Sequence, residues 1–246
     1  MTNGRKLVDS IAEMLVSMGH SGMAAELEDA YGDAKFPEMD KLALVNRVVC
    51  SEYDAFASKR LESRLRKCRL LGSPEDLSKC VDSAERCYEP RGAVDLLSNL
   101  SFVECGYNVL IVGASGTGKT YLAKALAIFA CSRFRGQHWN SAQLIEKLAD
   151  LKKTNYPKYE RRMNALAKLD FLVLDDFLFS PTGGDAENVI VYMILNSRVE
   201  SRKSTIFCSQ RDPKGWLEML CGDKVTHDAV VKRATRGYAL RVVKKG

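Results

Sequence analysis

No uninterrupted apolar run in this chain approaches the roughly 20 residues that span a bilayer. The N-terminal stretch MTNGRKLVDS has neither the long apolar core nor the small-residue cleavage site of a secretory signal. The expected location is therefore cytoplasmic, with no membrane partner. The eight cysteines include no C-x-x-C pair, which argues against a zinc knuckle. Their scatter through a chain long enough for a large core argues equally against a disulfide scaffold, so free thiols are expected. His20, His138 and His227 lie too far apart in sequence to suggest a metal site or a catalytic diad. Trp139 and Trp216 read as core residues. There is no internal repeat and no low-complexity tract.

What is present is an ordinary globular composition over 246 residues, 46% hydrophobic and 28% charged, with a net charge of +6. The distribution of the charge says more than its sum. Lys59, Arg60, Arg64, Arg66, Lys67 and Arg69 crowd one stretch. Lys152, Lys153, Lys158, Arg161, Arg162 and Lys168 form a second, and Lys232, Arg233, Arg236, Arg241, Lys244 and Lys245 a third. One such stretch reads as a solvated helix face. Three together suit a polyanionic partner. Arg60, Arg64, Arg66, Lys67, Lys153, Lys158, Arg161 and Arg162 are the candidate DNA contacts. Tyr156 and Tyr159, inside the second stretch, either stack on bases or cap a core.

Residues 5 to 70 read as helical. Leu7, Ile11, Met14, Leu15 and Met18 recur at helical steps, as do Leu42, Val45, Val49 and Phe56. Gly72 stops this region, and Ser73-Pro74 with Glu75 and Asp76 reads as the start of another helix. The expected organisation is a small all-helical domain over 1–71, linker helices over 72–103, and an α/β domain over 104–246. In the last, strands at 109–112, 171–174, 204–210 and 238–243 alternate with helices at 121–134, 141–153 and from Asp185 to about Arg202. Such alternation predicts a parallel sheet with helices on both faces.

Gly113-Ala114-Ser115-Gly116-Thr117-Gly118-Lys119-Thr120 fits the phosphate-loop pattern and lies between a strand and a helix. Glycines let backbone N–H groups turn onto phosphate oxygens at the positive end of the following helix. Lys119 neutralises the β- and γ-phosphates, and the Thr120 hydroxyl ligates Mg2+. FLVLDDF (171–177) is the expected partner: Asp175 holds the metal and Asp176 polarises the attacking water. The interval between Lys119 and Asp175 has room for helix, strand and helix, which places another strand between the two catalytic ones and suits an ATP-driven machine better than a small-molecule kinase. Ser209 or Gln210, at the end of the next strand, is placed to touch the γ-phosphate or the water.

The phosphate loop, LDFLVLDDF, STIFCSQ and DAVVKRATRGYALRV together resemble the IstB-like insertion-sequence ATP-binding helper family of AAA+ ATPases, relatives of the DnaC-like helicase loaders. EYDAFASKRLESRLRKCRLLGS (52–73) resembles that family's helical N-terminal region, so the likeness covers nearly the whole chain. It implies an AAA+ P-loop domain and ATP with Mg2+ as cofactors. It implies residues 113–120 as the nucleotide site, Asp175 and Asp176 as the acidic pair, and Gln210 as the polar sensor. Arg233 is implied as the arginine finger of a homo-oligomer, with Arg236 its rival. Asp176 departs from the usual Glu, which implies slow hydrolysis. The chain's end at Gly246 leaves no room for a helical lid, and no second-sensor arginine is carried over.

The function expected is that of an ATP-dependent regulator that assembles on DNA and assists a transposase. A replicative helicase loader, a small-molecule kinase and a nucleotide-gated module with little turnover are the alternatives.

Overall fold

The N-terminal repeat of apolar residues does form helices, but on a different seam from the one its spacing suggests. A computed structural model describes residues 2–221 and 223–244; Lys245 of the third basic stretch lies outside them. The chain divides into two units, one up to Ser63 and one from Arg64 onward.

In the first unit, α1 (Thr2–Ser17) packs on α2 (Ser21–Gly32), followed by a 3-10 turn (Phe36–Glu38) and α3 (Lys41–Cys68). Val8, Ala12, Ala24, Ala30 and Val48 are buried, whereas Leu7, Met14 and Met18 are exposed. Small residues at the seam let backbones approach and turn the long side chains outward. Leu42, Val45, Val49 and Phe56 are exposed too, joined by Tyr53. Polar contacts hold α3 alongside the buried Val48. The Glu52 carboxylate accepts the Gly22 and Met23 N–H groups at 3.0 and 3.2 Å, capping α2, and Arg47 bridges Glu26 and Asp29.

The second unit is a three-layer α/β structure. Its elements are β1 (Arg86–Glu89), α4 (Ala93–Ser98), α5 (Ser101–Glu104), β2 (Asn108–Val112), α6 (Lys119–Ala130), β3 (Gly136–Asn140), α7 (Ser141–Thr154), α8 (Tyr156–Lys168), β4 (Phe171–Asp175), α9 (Asp185–Glu200), β5 (Ser204–Ser209), α10 (Trp216–Met219), α11 (Lys224–Ala234) and β6 (Gly237–Lys244). The sheet order is β1-β6-β2-β5-β4-β3. All pairings are parallel except β1 with β6.

Four expectations change here. The segment 72–103 supplies the edge strand β1 and belongs to the sheet, so it is more than a helical linker. Ser73-Pro74 starts no α-helix; Asp76 instead caps a single 3-10 turn at Leu77–Lys79. An unforeseen helix, α8, starts where the Asn155 side chain accepts the Lys158 N–H at 3.0 Å. Finally, a strand does separate β2 from β4, but it is β5; the strand from the Lys119–Asp175 interval, β3, lies at the outer edge.

The central strands β2, β4 and β5 are buried along nearly their whole length, as a sheet covered on both faces requires. Arg198 is buried among them at 1% exposure. Its guanidinium donates to Thr205 Oγ1 at 3.0 Å, to the Leu169 carbonyl at 3.2 Å, and to the Leu166 and Ser204 carbonyls. It thereby fastens α9 to the end of α8 and the start of β5. Trp216 is buried and donates to Ser209 Oγ at 3.0 Å. Among the described residues, no helix is long and apolar enough to cross a membrane.

Candidate functional site

The C-terminal ends of β2, β4 and β5 lie side by side, which is the edge where open α/β sheets bind ligands. From β2 the chain turns through Gly113–Gly118 into α6. Gly113 and Gly118 have φ of 157° and 101°. A Cβ on Gly113 would collide with the Val242 carbonyl oxygen, so only glycine fits there. The Thr117 hydroxyl donates to the Ala114 carbonyl at 3.0 Å, which fixes the turn. The Lys119 ammonium donates to the same carbonyl at 2.6 Å. Burial lowers the Lys119 pKa against the pull of Asp176 and Asp175. The N–H groups of Ser115, Gly116 and Thr117 have no acceptor among the described residues. Loop N–H groups without a protein acceptor beside a buried ammonium fit a bound polyphosphate.

Opposite the loop, Asp175 Oδ1 accepts the Thr120 hydroxyl at 3.0 Å and the Asp176 N–H at 3.1 Å. Burial pushes this carboxyl up, but the His138 ring, the Thr120 hydroxyl and the Asp176 N–H together hold it below the ordinary aspartate range. Asp176 goes the other way, raised by burial and by repulsion from Asp175. The two neighbouring carboxyls are thus pushed in opposite directions. Asp176 sits at φ 50°, a left-handed backbone just past the end of β4. Asn140 Nδ2 donates to its Oδ2 at 3.2 Å. Thr120 and Asp175 offer the oxygen ligands that suit Mg2+. Among the described residues no group of three or more His, Cys, Asp or Glu could hold a metal ion by itself.

Gln210 follows β5, half-buried, at the same edge. Ser209 is committed elsewhere: its Oγ donates to the Phe177 carbonyl and accepts from Trp216 and Arg211, so it shapes the loop. Sequence reasoning missed three site residues. His138 Nε2 lies 3.6 Å from Asp175 Oδ2, and Asn140 both caps α7 and orients Asp176. The Arg86 guanidinium carbon lies 2.7 Å from where a Cβ on Gly118 would be. All three reach the site through strand pairing, of which the sequence gives no local sign; only Asn140 carried a signal, as a helix cap before SAQLIEKL.

Arg233 is not in its own chain's phosphate site. Asn108, at the start of β2, donates through Nδ2 to the Arg233 carbonyl and through its N–H to the Arg236 carbonyl, both at 2.8 Å. Both arginines therefore sit by the opposite edge, roughly 13 Å along the strand from the loop. The Arg233 guanidinium is occupied: Nε and Nη2 donate to Asn196 Oδ1 at 3.0 and 2.7 Å, Nη1 to the Ala229 carbonyl at 3.0 Å, and Nη2 to the Tyr192 hydroxyl at 3.1 Å. It also lies over the Tyr192 ring at 4.6 Å. Arg236 is exposed, with no side-chain partner among the described residues.

The expected DNA contacts are equally uneven. Arg64 donates to the Cys131 and Ser132 carbonyls at 3.2 and 2.6 Å, capping the end of α6. Arg60, Arg66, Lys67, Lys153, Lys158 and Arg161 are exposed, and Arg162 is half-buried. Tyr159 is a core residue at 2% exposure, and only Tyr156 faces solvent.

The IstB-like ATP-binding protein family model matches residues 14–244. An ATP-binding protein of insertion sequence IS21 from Pseudomonas aeruginosa is 31% identical over 186 residues, which cover 74% of this chain and 66% of that protein. The insertion-sequence ATP-binding protein y4uH of Sinorhizobium fredii is 32% identical, covering 72% of this chain and 68% of its own length. Among solved structures, the DnaC helicase loader superposes with a TM-score of 0.54 at 21% identity, over 70% of this chain and 98% of that one. AMPPCP-bound DnaA from Aquifex aeolicus superposes with a TM-score of 0.56 at 23% identity, over 69% of this chain and 50% of that one. These structures establish the AAA+ P-loop fold, and the match over nearly the whole sequence establishes kinship: the chain belongs to the IstB-like ATP-binding protein family.

Proposed function

We propose that this chain is an ATP-dependent DNA-binding regulator that assembles as a homo-oligomer on DNA and assists the transposase of its insertion sequence. The observation that carries the reading is the paired site, a phosphate loop whose Thr120 hydroxyl bonds Asp175 beside Asp176, in a chain of an insertion-sequence family. Thr120 and Asp175 would hold Mg2+, whose charge would offset that of the phosphates. Lys119 binds the β- and γ-phosphates, Asp176 accepts the proton of the attacking water, Asn140 holds Asp176 in place, and Gln210 orients the γ-phosphate. The position of Arg236 at the far edge supports its use in a neighbour's site, which makes hydrolysis depend on assembly.

The test is Asp176→Asn. It should bind ATP and DNA as the parent does while losing most DNA-stimulated hydrolysis. Parental turnover in that variant would remove Asp176 from the role, and turnover stimulated by a metabolite instead of DNA would favour a kinase. A replicative helicase loader is the second reading, supported by the exposed apolar stripe Leu42, Val45, Val49, Tyr53 and Phe56 on α3, which suits a protein partner. Affinity capture distinguishes them: recovery of a hexameric helicase in place of the transposase would select the loader.

A further inference from the structure

Two basic stretches that lie far apart in sequence meet over one tryptophan. Arg69 follows α3, and its guanidinium carbon lies 3.8 Å from the Trp139 ring centroid. Arg162, on α8, lies 5.1 Å from the same centroid, and Lys147 Nζ, on α7, 5.7 Å. Gln137 Oε1 is the hub beneath them: it accepts Trp139 Nε1 at 2.9 Å and Arg162 Nη2 at 3.0 Å. Trp139 and Gln137 both belong to β3, the outer strand of the sheet.

Three cations thus converge on a patch where no carboxylate pairs with any of them among the described residues. Like charges brought together without a counter-charge repel, and Arg162 shows it: burial and the nearby Arg69 both lower its pKa. Stacking satisfies the face of the Arg69 guanidinium and leaves its in-plane N–H groups unused.

The backbone adds an independent sign. Arg69 has φ 70°, with its N–H bonded to the Arg66 carbonyl and the Leu70 N–H to the Leu65 carbonyl at 3.1 and 3.0 Å. This is the Schellman ending of a helix, where glycine is the unstrained residue. The chain keeps an arginine there against the preference of its backbone, and that arginine is the one stacked on Trp139.

We infer that Arg69, Arg162 and Lys147, organised by Trp139 and Gln137, form a site for the phosphodiester backbone of duplex DNA. The inference rests on the DNA-binding reading above and gives it a place. Trp139 is 6% exposed, so its ring holds cations and does not stack on bases. Recognition is therefore of phosphates and independent of sequence.

The test is anisotropy of a labelled duplex of arbitrary sequence against the full chain over a range of salt. Arg69→Gly should lower the slope of log affinity against log salt by about 0.9 and leave the melting temperature unchanged or raised. Arg69→Gly with Arg162→Gln should lower the slope by about 1.8, weakening binding roughly 60-fold at 0.1 M salt, with ATP affinity unaltered. Lys147→Gln, an exposed change, should lower the slope by about 0.9 on its own. If the double variant is too unstable to measure, the two single variants Arg69→Gly and Lys147→Gln decide. A parental slope in the variants overturns this site while leaving DNA binding intact. A parent chain that binds no DNA overturns the DNA reading itself.

Discussion

Removing the Arg233 side chain separates two roles that its position in the sequence leaves open. In this fold the guanidinium clamps α11 to α9 through Asn196 and Tyr192, while its bond to the Ala229 carbonyl stays within α11. A hydrogen bond from a charged group contributes about 1.5–3 kcal/mol net, and an exposed cation–π contact about 0.5–1 kcal/mol. Arg233 is half-buried, so with its bonds to α9 counted together as one interaction at the low end of each range, Arg233→Ala should cost about 2 kcal/mol. For a domain of this size that is roughly 4–8 °C in melting temperature. Arg236→Ala, at an exposed position with no partner, should stay within about 0.5 kcal/mol of the parent.

The assay is a thermal melt of each variant, followed by DNA-stimulated hydrolysis alone and in mixtures with Lys119→Ala. Arg236→Ala should be stable and inactive, and should recover turnover in the mixture, because an intact loop then meets an intact arginine from its neighbour. Arg233→Ala should melt early, and at a temperature where it remains folded it should retain hydrolysis. An Arg233→Ala variant with the parental melting temperature, no hydrolysis alone and rescue by Lys119→Ala would refute the clamp and make Arg233 the finger.

Three other outcomes follow from the geometry. Lys119→Ala should abolish ATP binding in calorimetry with little change in the melt, since among the described residues the ammonium donates to a single loop carbonyl; unchanged affinity would dismiss the phosphate-loop assignment. Arg86→Ala should weaken ATP and ADP alike by roughly 10- to 100-fold, the range for a charged hydrogen bond to phosphate, whereas tighter binding would mean that Arg86 obstructs the loop. Asp170 opposes its burial through Lys203 at 2.7 Å and the Arg135 N–H at 3.0 Å, and its pKa is lowered. Its contribution is complete above the ordinary aspartate value of about 4 and is lost as pH falls through the lowered native value, so Asp170→Asn should destabilise at neutral pH and show a shallower acid limb in unfolding.

The parts of the site visible in the sequence are those where neighbours in the chain are neighbours in space. A phosphate loop is one turn, so its glycines, Lys119 and Thr120 declare themselves together. Asp175 and Asp176 end one buried strand, and the apolar run before them fixes where they emerge. Arg86, His138 and Asn140 were hidden because pairing brings them in: β1 finds β6 across most of the domain, and β3 joins β4 from the outside. Periodicity failed differently in the N-terminal unit. Leu42, Val45, Val49 and Phe56 do share a helical stripe, but spacing reports a common face and is silent on whether anything covers it.

Charge was the least legible quantity, and the reason is geometric. A run of basic residues on a helix points in several directions, so its members part company once the helix is packed. Arg64 turned inward to close α6, while Arg69 turned onto Trp139. The second run divided likewise, with Arg161 donating to the Pro157 carbonyl of its own helix and Arg162 facing the tryptophan. What the sequence displays as two separate stretches becomes, through one strand edge, a single cationic site, joined by a residue that reads as core. Trp139 is indeed core by burial. Its ring face is nevertheless what lets two arginines approach each other without a carboxylate between them, because a π-face offers cations attraction without cancelling their charge. An anion arriving there would meet donors already oriented, and its binding would relieve the repulsion from Arg69 that adds to burial in lowering the Arg162 pKa.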